Sequence, residues 1–145
     1  MEKELEQMLE VYYDFWFGVN ELYDCWAKKH GLTANALFVL HAIRNFHTNC
    51  TQQIICKKLL LPKQTVNSII DMFEKKGYLS KVTFKGDKRS KLIELTSEGL
   101  IYADKVLTKM HILEKQAMQN MSAGQRKSLQ ENMERFLLEL QKTLI

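Results

Sequence analysis

Apolar residues recur at helical spacing along most of the chain. Between Glu2 and Lys29 they are separated alternately by four and three residues, which places them on one face of a long helix. A stripe this wide predicts packing against the rest of the chain or against a second chain. The stripe comprises Leu5, Leu9, Tyr12, Trp16, Val19, Tyr23 and Trp26, widened by Met8, Phe15 and Leu22.

Three shorter amphipathic segments follow. Thr33 is a suitable N-cap for a helix over residues 34–46. Two further helices, Thr51–Leu60 and Pro62–Lys76, are separated only by a tight turn, as in a helix-turn-helix. The residues expected to face inward are Leu37, Leu40 and Ile43 in the first segment, Ile54, Ile55, Leu59 and Leu60 in the second, and Val66, Ile69, Ile70 and Phe73 in the third.

The third segment has an outward face suited to reading DNA. Its short hydrogen-bonding side chains match base edges and phosphates in the major groove. Asp71 lies on the same face, where phosphates would repel it. We therefore expect it to accept a hydrogen bond from a cytosine amino group or to pair with Lys75. Gly77 is expected to end the helix in a left-handed conformation. The outward-facing residues are Gln64, Ser68, Asp71 and Lys75, flanked by Thr65 and Asn67.

Two short strands are predicted directly after this helix. Val82 and Phe84, then Ile93 and Leu95, alternate on either side of a turn at Lys85–Lys88, which is the pattern of a β-hairpin. A hairpin that follows a helix-turn-helix makes a winged helix, the hairpin being the wing.

Positive charge is concentrated in residues 75–91. This stretch contains seven basic side chains and one acid, a net charge of +6, whereas the whole chain carries +4. The remainder of the chain is therefore slightly negative. A local basic patch beside a polar helix face is typical of a protein that binds the phosphate backbone of nucleic acid. The alternative is a solvated, lysine-rich hairpin.

Two long amphipathic helices are predicted at the end of the chain. Thr96 is a suitable N-cap for a helix that reaches about Asn120. Ser122 and Gln125 form a capping box that opens the last helix. The apolar seams of the two helices are Ala103, Val106, Met110, Leu113 and Ala117, and then Leu129, Met133, Phe136, Leu140 and Leu144 with Leu137 beside them.

Composition and motifs exclude several classes of protein. The acidic N-terminus lacks a continuous apolar run, so we expect no signal peptide, no membrane span and a cytoplasmic location. Three cysteines without paired spacing fit a reducing compartment. Metalloprotease, nucleophile-elbow and phosphate-loop motifs are missing from the sequence, so no enzyme activity or cofactor is expected. The four histidines are scattered, and no metal site is expected.

The run from Thr51 to Gly99 resembles the multiple-antibiotic-resistance regulator (MarR) family of bacterial transcription factors. The motifs that carry the resemblance are KKGYL at the exit of the third segment, the D-x-R triplet at Asp87–Arg89, and LTSEG at the entry to the next helix. The resemblance implies a winged-helix homodimer that binds a palindromic operator and usually represses. It also implies that Arg89 reaches into the minor groove and that Asp87 holds it there. The chain departs from the family at Lys81, where an arginine is common.

These observations predict a mainly helical fold with a small hairpin wing. In a single chain of 145 residues, residues 33–96 would form the winged helix-turn-helix, and residues 1–30 and 97–145 would form dimerisation helices. The partner would be double-stranded DNA. A second hypothesis is a winged-helix module for protein contacts without its own operator. The candidate DNA contacts are Lys63, Gln64, Thr65, Asn67 and Ser68 in the recognition helix, and Lys85, Asp87, Lys88, Arg89 and Lys91 in the wing.

The signal that releases the regulator from DNA is expected to be either a small ligand or oxidation. The resemblance implies a pocket for a small aromatic ligand, although an aromatic stripe is also typical of ordinary core. Cys25 lies off the seam and near Lys28, Lys29 and His30, which would favour its thiolate. Cys50 lies in a connector, and Cys56 is expected to fill the core. The candidate ligand-binding residues are Tyr12, Trp16, Tyr23, Trp26 and Phe38, with Phe46 nearby.

Overall fold

The computed structural model describes residues 1–46, 49–84 and 87–145, and it leaves the side chains of residues 84 and 87–89 undescribed. Its elements confirm a mainly helical fold with one two-stranded antiparallel sheet. None of the helices in the described ranges is long and apolar enough to cross a membrane. The elements are α1 (Glu2–Lys29), α2 (Ala34–Asn45), α3 (Gln52–Leu59), α4 (Lys63–Lys75), β1 (Leu79–Phe84), β2 (Asp87–Leu95), α5 (Ser97–Gln119) and α6 (Ala123–Leu144).

The chain divides into two compact units, Met1–Leu107 and Thr108–Ile145, with the boundary inside α5. In the first unit, α2 is the centre of the core, because it packs against α1, α3, α4 and β2. The inward face predicted for α2 is confirmed, since all three of its residues are buried. Other fully buried side chains of this core are Ile55, Val66, Ile70 and Phe73.

The predicted helix caps are confirmed. The Oγ1 atom of Thr33 accepts a hydrogen bond from the Ala36 amide at 3.1 Å, and Thr51 does the same for Ile54 at 3.3 Å. At the start of α6, Ser122 and Gln125 form the reciprocal capping box. Each cap satisfies backbone donors that a helix leaves free at its first turn.

The turn between α3 and α4 differs from the prediction at Leu60. This residue was expected on the inward face of α3, which is wrong, because α3 ends at Leu59. Leu60 is left-handed, with φ of 53°, and its side chain is 88% exposed. A left-handed residue reverses the direction of the chain and turns its side chain away from the helix face. The turn is therefore made by a residue whose apolar side chain faces solvent.

The hairpin is longer than predicted. β2 begins at Asp87, so Asp87 and Lys88 belong to a strand and not to the turn. In the register, Leu79 lies opposite Leu95 and Lys81 lies opposite Ile93. Because facing residues share one side of a sheet, Lys81 lies on the side on which Leu79 and Ile93 are buried. The alternation of Val82 with Phe84 predicted the strand, but Val82 lies on the other, solvent side.

A close contact joins the end of α4 to the start of α5, and we call it the Tyr78 junction. Gly77 has φ of 78°, and Thr96 Oγ1 donates a hydrogen bond to its carbonyl at 2.6 Å. The Tyr78 carbonyl accepts from the Thr96 amide at 3.0 Å, and the Tyr78 ring stacks on Tyr102 at 4.3 Å. A Cβ atom on Gly99 would overlap the Tyr78 carbonyl oxygen and lie 2.9 Å from its Cα. The KKGYL and LTSEG motifs are thus the two sides of one contact.

The apolar seam of α1 is largely exposed within its own unit. Only Ala27 of this helix is buried. Trp16 is 54% exposed and Leu22 is 70% exposed. The predicted seam is present, but the chain itself covers little of it.

In the second unit, α6 contains no buried residue. Met133, Phe136 and Leu137 of its predicted seam are exposed. Along α5, which spans both units, the predicted seam is buried at Ala103, Val106 and Met110 and exposed at Leu113. Each terminal helix therefore has apolar surface that is open to solvent.

Two glycine-to-alanine substitutions, one at the Tyr78 junction and one outside it, should change the free energy of unfolding in opposite directions. Gly99→Ala should lower the free energy of unfolding by about 1–3 kcal/mol, because its Cβ would overlap backbone atoms. Gly18→Ala is the matched control, since nothing lies within 4 Å of a Cβ at that helical position. It should raise the free energy of unfolding by up to about 1 kcal/mol. Urea denaturation followed by circular dichroism measures both, and a Gly99→Ala protein as stable as wild type would contradict the contact.

Candidate nucleic-acid interface

The front of α4 exposes most of the side chains predicted to contact DNA. Lys63, Gln64, Asn67 and Ser68 are exposed, and Thr65 is half-buried. The Ser68 hydroxyl donates a hydrogen bond to the Gln64 carbonyl at 3.0 Å. Val66, Ile70 and Phe73 of α4 are buried in the core, so the helix can present its opposite, polar face to a partner.

A groove of about 550 Å³ lies between α3, α4 and the hairpin. Lys63 and Asn67 line it from α4, and Lys91 lines it from β2. Gln52 on α3 also lines it, and its side-chain amide donates to the Lys63 carbonyl at 3.1 Å. The groove has cationic side chains on two sides, Lys63 and Lys91, which is suitable for binding an anionic chain such as a nucleic-acid strand.

Gln52 and Cys56 line this groove, although neither was among the predicted contacts. Gln52, which was not singled out from the sequence, is a polar, half-buried residue in the first turn after the Thr51 cap. Cys56 was expected to fill the core, but it is half-buried and lines the groove. α3 has only eight residues and contacts three different elements, α2, α4 and β2. The burial of Cys56 could therefore not be inferred from helical periodicity.

Lys81 connects the hairpin to α4. Its Nζ atom lies 2.7 Å from Asp71 Oδ1 and 3.5 Å from Glu74 Oε1. The expectation for Asp71 is therefore corrected: its hydrogen bond is made with Lys81, while Lys75 only adds a weaker attraction. The hydrogen bond to Lys81 holds the pKa of Asp71 below its usual value, and the same bond raises the pKa of Lys81. Both shifts favour the charged forms of the two groups.

The rest of the predicted wing contacts are described only in part. Lys91 is exposed on β2 and lines the groove. Asp87, Lys88 and Arg89 belong to β2 by their backbone, and their side chains lie outside the description. Lys85 lies outside the described residues altogether.

The aromatic residues predicted to bind a ligand form separate ring contacts in the structure. The rings of Tyr23 and Phe38 have centroids 5.1 Å apart, and those of Tyr12 and Trp16 are 6.4 Å apart. Within the described part of the chain, the buried Trp26 Nε1 atom has no hydrogen-bond partner. The structure brings Tyr23 and Phe38 together at the contact of α1 with α2, and it leaves Trp16 facing solvent.

The three cysteines differ in exposure. Cys25 is exposed, Cys56 is half-buried and Cys50 is buried. Burial raises the pKa of Cys50 to about 11, so it remains a poorly nucleophilic thiol at neutral pH. The folded protein favours the neutral thiol of Cys50 over the thiolate. Its free energy of unfolding is therefore unaffected below the pKa of an unfolded cysteine and falls as the pH rises from there toward 11. Among the residues that the structure describes, no three potential metal ligands are grouped together.

Known proteins resemble the chain in both sequence and fold. Residues 30–90 match the sequence model of the MarR family. The transcriptional regulator SarZ of Staphylococcus haemolyticus is 31% identical over 78 residues, which are 54% of this chain and 52% of that protein. The chain spans about half the length of the curated relatives it matches.

Solved structures share the fold over most of the chain. S. aureus MepR, in a complex with DNA, superposes with a TM-score of 0.76 at 18% identity, covering 90% of this chain and 96% of that one. A MarR family regulator from Neisseria meningitidis gives a TM-score of 0.76 at 21% identity, covering 94% and 96%. At these identities the likeness concerns the arrangement of the helices and the hairpin.

The cysteine environments predict the order in which the thiols react with a soluble disulfide reagent such as DTNB. Cys25 should react fastest, Cys56 more slowly, and Cys50 only after denaturant is added, because the reagent must reach a thiolate. Cys25→Ser should remove the fast phase and leave the others unchanged. A fast phase that survives this substitution, or a Cys50 that reacts in the folded protein, would contradict the assignment.

Proposed function

We propose that the chain is a transcriptional regulator of the MarR family that binds double-stranded DNA. The observation that carries the proposal is the groove between α3, α4 and the hairpin, with the exposed polar front of α4 on one side and Lys91 on the other. The named relatives are transcriptional regulators of the helix-turn-helix type. The fold is shared with MepR, whose structure contains DNA.

In the proposed complex, α4 enters the major groove and the hairpin follows the adjacent backbone. Gln64, Asn67 and Ser68 offer amide and hydroxyl groups to base edges. Lys63 and Lys91 supply phosphate contacts, which give affinity that depends on salt. Thr65, which flanks this face of α4, is a further proposed DNA contact. In the wing, the proposed contacts are Lys85, Lys88 and Arg89, with Asp87 orienting Arg89.

We further propose that the protein is a homodimer on a palindromic operator. The exposed apolar seam of α1 and the unburied seam of α6 each need a partner surface, because large apolar patches are rarely left in water. A second copy of the chain supplies matching surfaces. Residues 1–30 and 97–145 are the proposed dimerisation helices, and residues 33–96 are the proposed DNA-binding part.

The proposed activity is repression in the cytoplasm, released by a small aromatic ligand or by oxidation. The residues proposed for the ligand are Tyr12, Trp16, Tyr23, Trp26 and Phe38. The exposed Cys25 is the proposed site of oxidation, because it is the most accessible of the three thiols.

Selection from a genomic fragment library, with purified protein and excess competitor DNA, tests the proposal. Enrichment of a short palindrome with half-sites about one helical turn apart supports a dimeric operator reader. Binding to that sequence should weaken steeply as salt rises. A folded dimer that enriches no sequence but forms a salt-insensitive complex with another protein would instead support the module for protein contacts.

The wing assignment predicts that Arg89→Ala weakens binding to the enriched sequence by about 1–3 kcal/mol, because a groove contact is lost. The fold and the dimer should be unchanged. Lys105→Ala is the control, since it removes one positive charge from an exposed position of α5. Fluorescence anisotropy at fixed salt measures both variants, and an Arg89→Ala protein with wild-type affinity would refute the role of Arg89.

The dimer proposal predicts that Trp16→Glu converts the protein to a monomer at micromolar concentration. Trp16 is 54% exposed within its own chain, so the substitution should leave the helical fold intact while placing a charge in the apolar seam. Gln7→Glu adds the same charge on the opposite face of α1 and is the matched control. Analytical ultracentrifugation measures the masses; a Trp16→Glu dimer as stable as wild type would exclude the α1 seam from the interface.

A further inference from the structure

The hairpin has a lysine on the face where apolar residues would be expected. Leu79 and Ile93 are buried on this face, and Lys81, which lies opposite Ile93, shares it. The next two residues toward the tip, Val82 and Thr83, are exposed. Lys81 therefore lies where the hairpin passes from the core into solvent.

Two carboxylates on the facing side of α4 form ion pairs with this lysine. Asp71 and Glu74 are three residues apart, so they lie next to each other on one side of the helix. The Lys81 ammonium approaches them at 2.7 Å and 3.5 Å. Two negative charges more than balance one positive charge, so Lys81 adds no net attraction for phosphates.

The position of Lys81 relates this ion pair to the groove. Lys81 lines the groove between α3, α4 and the hairpin, together with Lys63 and Asn67 on one side and Lys91 on the other. The ion pair is thus a direct link between the two walls that bound the groove.

We propose that Lys81 is a positioning residue, which holds the hairpin at a fixed angle to α4 through Asp71 and Glu74 and so sets the width of the groove for a DNA strand. The consequence for DNA rests on the proposed function, whereas the link between hairpin and helix does not. Exposed ion pairs contribute little to overall stability. A charged contact at the edge of a core can nevertheless select one arrangement over others, because it is satisfied in only a narrow range of distances.

The double variant Asp71→Asn/Lys81→Met tests this role, because it removes the ion pair without changing the net charge of the surface. The probes are the duplex that wild-type protein enriches most and a scrambled duplex of equal length and composition. We expect affinity for the enriched duplex to fall about tenfold, the size of one displaced contact. Affinity for the scrambled duplex and the salt dependence should stay as in wild type, because no phosphate contact is removed.

Two matched variants separate positioning from phosphate binding. Lys81→Arg should keep wild-type affinity, because its guanidinium can bond both carboxylates. Lys91→Met should weaken both duplexes alike and reduce the salt slope by about 0.9, the value for one phosphate contact. If the double variant behaves like Lys91→Met, Lys81 is a phosphate contact and the proposal is wrong. Wild-type affinity of the double variant would also overturn it.

A measurement on the free protein tests the positioning role of Lys81 independently of DNA binding. Residual dipolar couplings of backbone amides report the orientation of the hairpin relative to α4 in the free protein. We expect the couplings of residues 79–83 and 90–95 to change in the double variant, while those of α2 and α4 stay as in wild type. Unchanged hairpin couplings would overturn the positioning role. If wild type enriches no sequence, the DNA-binding proposal fails, and these couplings still decide the role of Lys81.

Discussion

The close approach of α5 to the backbone at Tyr78 fixes the point at which the hairpin leaves the helical core. It requires a residue without a side chain at Gly99 and a left-handed residue at Gly77. Each hydrogen bond that Thr96 makes there contributes about 1 kcal/mol net, whereas overlap of an added Cβ would cost about 1–3 kcal/mol. The steric requirement is therefore stronger than any one of the bonds. β1 begins directly after this junction, and Lys81, which contacts α4, is the third residue of this strand.

The distribution of buried surface separates two parts of the molecule. The core around α2 is filled from within the chain, because α1, α3, α4 and β2 all pack against this helix. The seams of α1 and α6 are not covered in this way. Fully burying one large apolar side chain stabilises by about 1.5–3 kcal/mol, so a partner that covers even a few of them adds several kcal/mol. Because α1 carries both the proposed dimer seam and the proposed ligand residues, a ligand bound there would alter the same apolar surface that is proposed to form the dimer contact.

Local rules predicted the elements of the fold well. The caps at Thr33, Thr51 and Ser122 depend only on a few neighbouring residues, and so does the left-handed Gly77. Helical periodicity likewise placed the core-facing residues of α2. The errors arose where a side chain's direction depends on a distant element. Leu60 fits the apolar period of α3 but follows its last residue, and Cys56 has a groove beside it that exists only after α4 and the hairpin are in place.

Asp71 and Lys81 show the same limit for charge. The sequence indicates a net charge of +6 in residues 75–91, and each basic group there is a candidate phosphate contact by composition alone. The fold brings two carboxylates from outside that stretch onto Lys81. The alternation from Leu79 would have put Lys81 on the inward face, but it could not identify the helix that faces it. A count of basic residues therefore overstates the number available to phosphates, because Lys81 is already paired with these two carboxylates.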